Sequence, residues 1–188
     1  YTLPDQREIF SIDEMAETFD LTRMRLGGPV FDVAKLRWLN GRYLREKLQP
    51  EEVLDRLREW KLNDDLLARI LTLALQRLET FSDFVPLASF LFSESISATP
   101  EKLSGKLEPD DAARLVKVAE WEFQKLPAWT AEAIGHTFNR IAEIEERKLK
   151  QIMPTFFVAL TGSQVSLPLY DAMTLLGPDL SRTRLRQA

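Results

Sequence analysis

The sequence contains no cysteine and only one histidine, His136. Without cysteine the chain cannot form disulfides or thiolate metal sites, and this is compatible with the cytosol without proving it. A histidine-based triad or metal cluster would depend on His136 alone, and its mid-helix position favours a surface or boundary residue. The segment Leu160-Thr161-Gly162-Ser163 lacks the lysine and the spacing of a phosphate-binding loop. A catalytic site is therefore hard to build from these residues.

Long apolar runs are also absent, so the sequence predicts no membrane span, and no charged start precedes an apolar core as in a secretory signal. Apolar residues make up 45% and charged residues 29% of the 188 residues, which is ordinary for one large or two small globular domains.

The net charge of −4 argues against a generic polyanion binder. It does not exclude RNA binding, because a localised basic face can serve while acidic residues cover the remainder.

Apolar residues recur at helical spacing along most of the chain, which predicts an all-α fold with short connections. Capping signals predict helix starts near Ser11, Asp32, Pro50, Asp110 and Thr130, and two short helices around Gly177-Pro178. The helix that begins after Thr130 is expected to continue to about Gln151. Pro154 is expected to break the chain, and Phe156–Leu160 permits either a helix or a strand.

Aromatic side chains are concentrated after Arg77, in a segment interrupted at Pro86. They are Phe81, Phe84, Phe90 and Phe92. We expect them to pack between helices rather than to stack on bases, because large apolar side chains are most often buried.

The stretch Leu26–Arg45 combines a turn with a basic helix. Gly27-Gly28-Pro29 predicts the turn, because glycine allows positive φ and proline fixes its own. The helix predicted from Asp32 carries Lys35, Arg37, Arg42 and Arg45 around Trp38. Basic and aromatic groups on one helix suit a phosphate backbone, but the same pattern fits an amphipathic helix with Trp38 in the core.

The same stretch resembles bacterial glutamyl-tRNA synthetases, which are class I aminoacyl-tRNA synthetases. Several blocks carry the resemblance, and they occur in the same order as in the family. They are Arg7-Glu8-Ile9-Phe10 with Asp13-Glu14-Met15, the motif "LGGPVFD-x-x-KL-x-WLNG-x-Y-x-RE", Gln76–Phe81, Ala159–Gly162, Leu176–Asp179 and the arginine-rich run 182–186. The resemblance covers essentially the whole chain and implies an all-α fold, including a helix at Phe156–Leu160. It implies the end of the stem-contact helical domain at 1–48 and two anticodon-binding subdomains at 49–100 and 101–188.

The family activates its amino acid in a domain marked by a His-Ile-Gly-His-like and a Lys-Met-Ser-Lys-Ser-like motif, and neither occurs here. The resemblance therefore implies a catalytic domain upstream of Tyr1, and a fragment that is inactive by itself. The complete cytoplasmic ligase would use ATP, Mg²⁺ and L-glutamate to charge tRNA(Glu), while this chain would need no cofactor. Its partners would be the anticodon loop and inner stem of the tRNA.

The resemblance also implies binding residues. Lys35 and Arg45 match the stem-contact block and are expected to contact phosphates, whereas Trp38 is expected to pack and Asn40 to cap or bridge the adjoining loop. Arg77 matches the arginine that reads the third anticodon base, which would make the enzyme discriminate against tRNA(Gln). Without the resemblance, the simplest interpretation is that Arg77 is a cation that stabilises the end of a helix.

One position departs from the family pattern. Many members have an arginine shortly before the Ala-Leu-Thr-Gly block, where this chain has Phe157, so that contact is not carried over. Arg182, Arg184 and Arg186 would either replace the lost charge or lie at the surface. Two alternatives stay open: a non-discriminating synthetase, or a helical protein–protein module with no RNA role.

Overall fold

The computed structural model describes residues 3, 7–23, 27 and 31–188, and in this part of the chain the regular structure is helical without a strand. The predicted all-α fold is confirmed. The α-helices are α1 (Ile12–Thr18), α2 (Val33–Glu46), α3 (Pro50–Trp60), α4 (Asp64–Ala74), α5 (Phe84–Ala88), α6 (Pro100–Ser104), α7 (Pro109–Gln124), α8 (Ala131–Ile144), α9 (Leu149–Thr161), α10 (Leu169–Leu176) and α11 (Pro178–Gln187). Short 3₁₀ turns cover Leu21–Arg23, Leu75–Arg77, Phe81–Asp83 and Ser89–Leu91.

Side-chain caps start several of these helices where the sequence predicts them. Ser11 and Glu14 form a reciprocal capping box at α1, with bonds of 3.1 and 2.7 Å. The Asp32 carboxylate accepts the backbone N–H of Lys35 at 3.0 Å and starts α2. These caps satisfy backbone donors that have no intrahelical partner. Most of the predicted Gly27-Gly28-Pro29 turn lies outside the described residues.

Two boundaries differ from the prediction. The helix α8 ends at Ile144, not near Gln151, because Glu146 adopts a left-handed φ of 50° and the chain turns there. Glycine usually occupies that position after a helix. The helix α9 continues through Pro154, which was expected to break the chain. A proline removes one helical hydrogen bond, and the apolar side chains that follow bury enough surface to offset that loss.

The structure divides into two compact units, residues 1–63 and 64–188. In the first unit α1, α2 and α3 contain no buried residue. The second unit contains two apolar clusters. The larger is built mainly by α6–α9, with Phe123, Phe138 and Phe156 at its centre, and the smaller joins 66–96 to 167–180. No helix in the described part of the chain has the length and apolarity that crossing a membrane requires.

A buried arginine ties these clusters together. Arg184 on α11 is 1% exposed and donates to the carbonyl oxygens of Leu160 and Phe90 at 2.6 Å and of Ser93 at 2.5 Å. Leu160 belongs to the last turn of α9, where carbonyls lack intrahelical partners and attract a cation. Burial lowers the pKa of Arg184 to about 10, so its guanidinium stays charged at neutral pH.

The C-terminal arginines are therefore not a basic surface patch. Arg182 donates two bonds of 3.1 Å to the carbonyl of Phe123 and lies 5.5 Å from the ring of Trp129. Arg186 pairs with Glu120 at 3.0 Å. The expectation that this run lies at the surface or replaces an RNA contact is wrong for Arg184, because its guanidinium is buried and donates to three carbonyls from two chain segments.

Replacing Arg184 with methionine should lower the free energy of unfolding by about 3–5 kcal/mol, because it leaves buried carbonyls without a donor. Urea unfolding measures the change. Arg186→Met is the control, and we expect a loss of at most about 1 kcal/mol because its ion pair is exposed. Equal losses in the two variants would show that Arg184 does not hold the clusters together.

Candidate nucleic-acid interface

Arg77 ends the 3₁₀ turn that follows α4 and lies at the surface. Its Nη1 donates to the backbone carbonyl of Ser166, which is 89 residues away in the chain. The fold thus brings the sequence-predicted arginine beside the loop that joins α9 to α10. A guanidinium carries five N–H donors, so this single bond orients the side chain and leaves donors for a ligand.

The loop 162–168 is held by its own hydrogen bonds. Gly162 ends α9 with a left-handed φ of 77° and donates to the carbonyl of Val158 at 2.8 Å. The hydroxyl of Ser163 accepts the N–H of Val165 at 3.2 Å. Val165 is 70% exposed, while Ser166 is 2% exposed. The loop therefore presents a short surface next to Arg77 and anchors itself through a buried residue.

This loop was not predicted as part of the site. The resemblance covers its first residues at Ala159–Gly162, but the contact with Arg77 is made by a backbone carbonyl. Every residue has a carbonyl, so the side chains at 163–166 give no sequence signal for it. Only the fold reveals the contact.

Within the first unit, Lys35 lies in the opening turn of α2. Its Nζ lies 2.5 Å from Oε1 of Glu8, and this hydrogen bond, with the Coulombic attraction, raises the pKa of Lys35. Both side chains are about half exposed, and exposed ion pairs contribute little to stability. A phosphate can therefore compete with Glu8 for this cation.

Arg45 folds back along α2 over Gly41. A Cβ added at Gly41 would lie 3.0 Å from Nη1 of Arg45, so the missing side chain leaves the space that the guanidinium uses. The neighbouring Arg42 is engaged instead, by Glu46 at 2.6 Å and by the ring of Trp38 at 5.3 Å. Lys35 is therefore paired with an acidic residue that precedes the helix, whereas the Arg45 side chain lies along its own helix.

The other two residues expected at this helix are both accessible. Trp38 is 46% exposed and α2 buries no residue, so a core position for Trp38 is not observed within this chain. Asn40 is exposed inside α2. It cannot cap this helix, because the cap is Asp32. Arg77 belongs to the second unit, whereas Lys35 and Arg45 belong to the first.

The structure also places Phe157 and His136, two other residues considered in the sequence. Phe157 is half-buried and packs against the larger apolar cluster. The His136 side chain is 76% exposed, which confirms its predicted surface position, and its Nε2 lies 3.8 Å from Glu132. Among the described residues, no group of three or more His, Cys, Asp or Glu side chains is placed to hold a metal ion.

Comparison with known proteins identifies a family. The model of the anticodon binding domain matches residues 46–188. The glutamate–tRNA ligases of a Marinomonas species and of Saccharophagus degradans are 41% and 42% identical over the whole chain, which spans 38% of their length. The crystal structure of a glutamate tRNA ligase from Elizabethkingia meningosepticum is 23% identical, with a TM-score of 0.57, over 100% of this chain and 38% of that one.

At 23% identity, the likeness to the solved structure shows a shared fold. The family model covers well over half of the chain, including Arg77 and the loop that holds it. This chain belongs to the anticodon-binding domain family.

Proposed function

We propose that this chain is the tRNA-binding, anticodon-recognising part of a glutamate–tRNA ligase, which joins L-glutamate to tRNA(Glu) using ATP. The observation that carries the proposal is Arg77, an exposed guanidinium oriented by the Ser166 carbonyl. The family and the names of the relatives support it. In this role the chain positions the tRNA and contributes specificity rather than bond chemistry.

In this proposal Arg77 contacts the third anticodon base, which differs between the glutamate and glutamine tRNAs. A guanidinium has only donors, so it pairs with the acceptor edge of a cytosine. Because Ser166 already holds one N–H, the other donors have a preferred direction. A base that presents a donor to the guanidinium would leave its own N–H and that of Arg77 without an acceptor, which is costly once water is excluded.

Lys35 and Arg45 would contact phosphates along the inner stem, where their charges act without reading sequence. Trp38 and Asn40 would lie beside them on the accessible face of α2. This assignment follows the resemblance. The exposure of α2 supports it, as does the half-exposed position of the Lys35–Glu8 pair.

The rest of the ligase would include an N-terminal catalytic domain. Apolar side chains of the first unit are left exposed, among them Ile12 at 80%, Leu36 at 49% and Trp60 at 56%. We infer that the catalytic part of the polypeptide covers some of this surface. Residues 1–48 would then end the stem-contact domain, and residues 49–100 and 101–188 would form the two anticodon-binding subdomains of a cytoplasmic enzyme.

ATP and Mg²⁺ would act in that catalytic domain. The described residues of this chain offer no cluster suited to a metal ion. In the proposed ligase this chain would serve the reaction by orienting the tRNA.

Replacing Arg77 with alanine in the full-length ligase should reduce the preference for glutamate tRNA over glutamine tRNA by roughly 5- to 150-fold, the usual effect of losing a base-specific contact. Aminoacylation of the two transcripts measures kcat/KM. Arg69→Ala, an exposed arginine on α4, is the charge-matched control. Equal losses on both tRNAs would mean that Arg77 contacts the backbone only, and an unchanged ratio would favour a non-discriminating ligase.

Replacing Lys35 or Arg45 with alanine should weaken the binding of both tRNAs equally. Each change should also reduce the slope of log K against log salt by about 0.7–0.9, because one phosphate contact is lost. Filter binding at several salt concentrations gives the slope. Arg58→Ala, which removes an exposed arginine paired with Asp55 on α3, should leave it unchanged. A slope that none of the variants alters would contradict the phosphate role.

A further inference from the structure

Phe81 is 97% exposed, although sequence reasoning expected it to be buried with the other phenylalanines of its segment. That expectation holds for Phe84, Phe90 and Phe92, which belong to or pack against the smaller apolar cluster. It is wrong for Phe81. The ring lies at the start of the 3₁₀ turn Phe81–Asp83, four residues after Arg77.

The turn that carries this ring is firmly built. The Asp83 carboxylate accepts the backbone N–H groups of Thr80 at 2.7 Å and Glu79 at 3.0 Å, and these bonds lower the pKa of Asp83. The hydroxyls of Thr80 and Ser82 lie 2.8 Å apart and share a hydrogen bond. The exposed ring is therefore presented on an ordered backbone, which reduces the entropy that a ligand must remove on binding.

The surroundings favour a nucleobase over a phosphate group. The acidic residues Glu79 and Asp83 flank Phe81 in the chain, so a phosphate here would meet negative charge. The face of a base carries no net charge and stacks on an aromatic ring whatever its sequence identity. A single exposed ring is a small apolar surface, whereas a protein partner is usually anchored by several side chains in well-packed pockets.

The position along the chain links the ring to Arg77. Four residues span at most about 14 Å when fully extended, so the Cα atoms of Arg77 and Phe81 lie no farther apart than this. Both side chains are exposed, so the bases of one single-stranded loop can meet both of them. Arg77 supplies hydrogen-bond donors, and Phe81 supplies a flat apolar surface.

We propose that Phe81 is a stacking platform for an unpaired base adjacent to the one that Arg77 contacts. The proposal rests on the tRNA-binding function given above and adds a residue to it. Stacking holds the loop open and immobile, so that the base beside the guanidinium is presented edge-on. Phe81 thus contributes affinity for any anticodon loop, whereas Arg77 contributes the choice between loops.

The test uses the full-length ligase and glutamate tRNA transcripts that carry 2-aminopurine in place of one neighbour of the third anticodon base, on either side. Phe81→Ala should weaken binding roughly 5- to 150-fold, the effect expected for one lost stacked base. Phe81→Trp should restore it. Stacking quenches 2-aminopurine, so one of the two transcripts should lose fluorescence with the wild type and with Phe81→Trp, but not with Phe81→Ala.

Val85→Ala is the matched control, because Val85 lies one turn further along and is 67% exposed without a ring. We expect it to change neither affinity nor fluorescence. A Phe81→Ala variant that behaves like Val85→Ala would overturn the stacking proposal, while a lowered discrimination in Arg77→Ala would leave the proposed function standing. A wild-type enzyme that binds no tRNA would overturn both.

Discussion

The second unit depends on one buried cation. The two terminal nitrogens of Arg184 donate to three carbonyl oxygens, one at the end of α9 and two in the segment 90–93. Removing a guanidinium from water is costly, and charge-assisted hydrogen bonds to helix-end carbonyls recover much of that cost. The same bonds fix the end of α9, from which the loop 162–168 leaves. The carbonyl that orients Arg77 therefore depends on a buried residue of α11.

Much of the fold could be predicted from the sequence because its signals are local. Ser11 and Asp32 cap helices through bonds to residues three positions away, and Gly177-Pro178 separates the last two helices through backbone conformation alone. The failures have physical causes. Glu146 takes a conformation usually reserved for glycine, and Pro154 stays inside a helix that burial stabilises. Arg184 and Phe81 reverse the usual locations of charged and aromatic side chains, which only tertiary contacts can reveal.

The candidate site, like the fold, could be predicted only where the signal lies in the sequence itself. Arg77 could be proposed from the sequence because the resemblance depends on its side chain, whereas its carbonyl partner could not. Several arginines of the second unit are paired with acidic side chains of the same unit. Arg114 pairs with the buried Glu145 at 2.7 Å, Arg140 with the buried Glu122 at 3.1 Å, and Arg147 with Asp111. In the proposed function, recognition would therefore depend on a few well-placed groups rather than on overall charge.

The carbonyl that holds Arg77 has a consequence for how such a site evolves. Any amino acid at position 166 supplies the same oxygen, provided that the backbone keeps its path and the side chain fits the buried space. The side chains of Gln164 and Val165 are exposed and can vary without disturbing this oxygen, whereas the Ser163 hydroxyl helps to hold the loop. Lineages can therefore vary the loop while the direction of the guanidinium is inherited unchanged. In the proposed role of Arg77, selection on the choice of tRNA would then act mainly at the codon for residue 77.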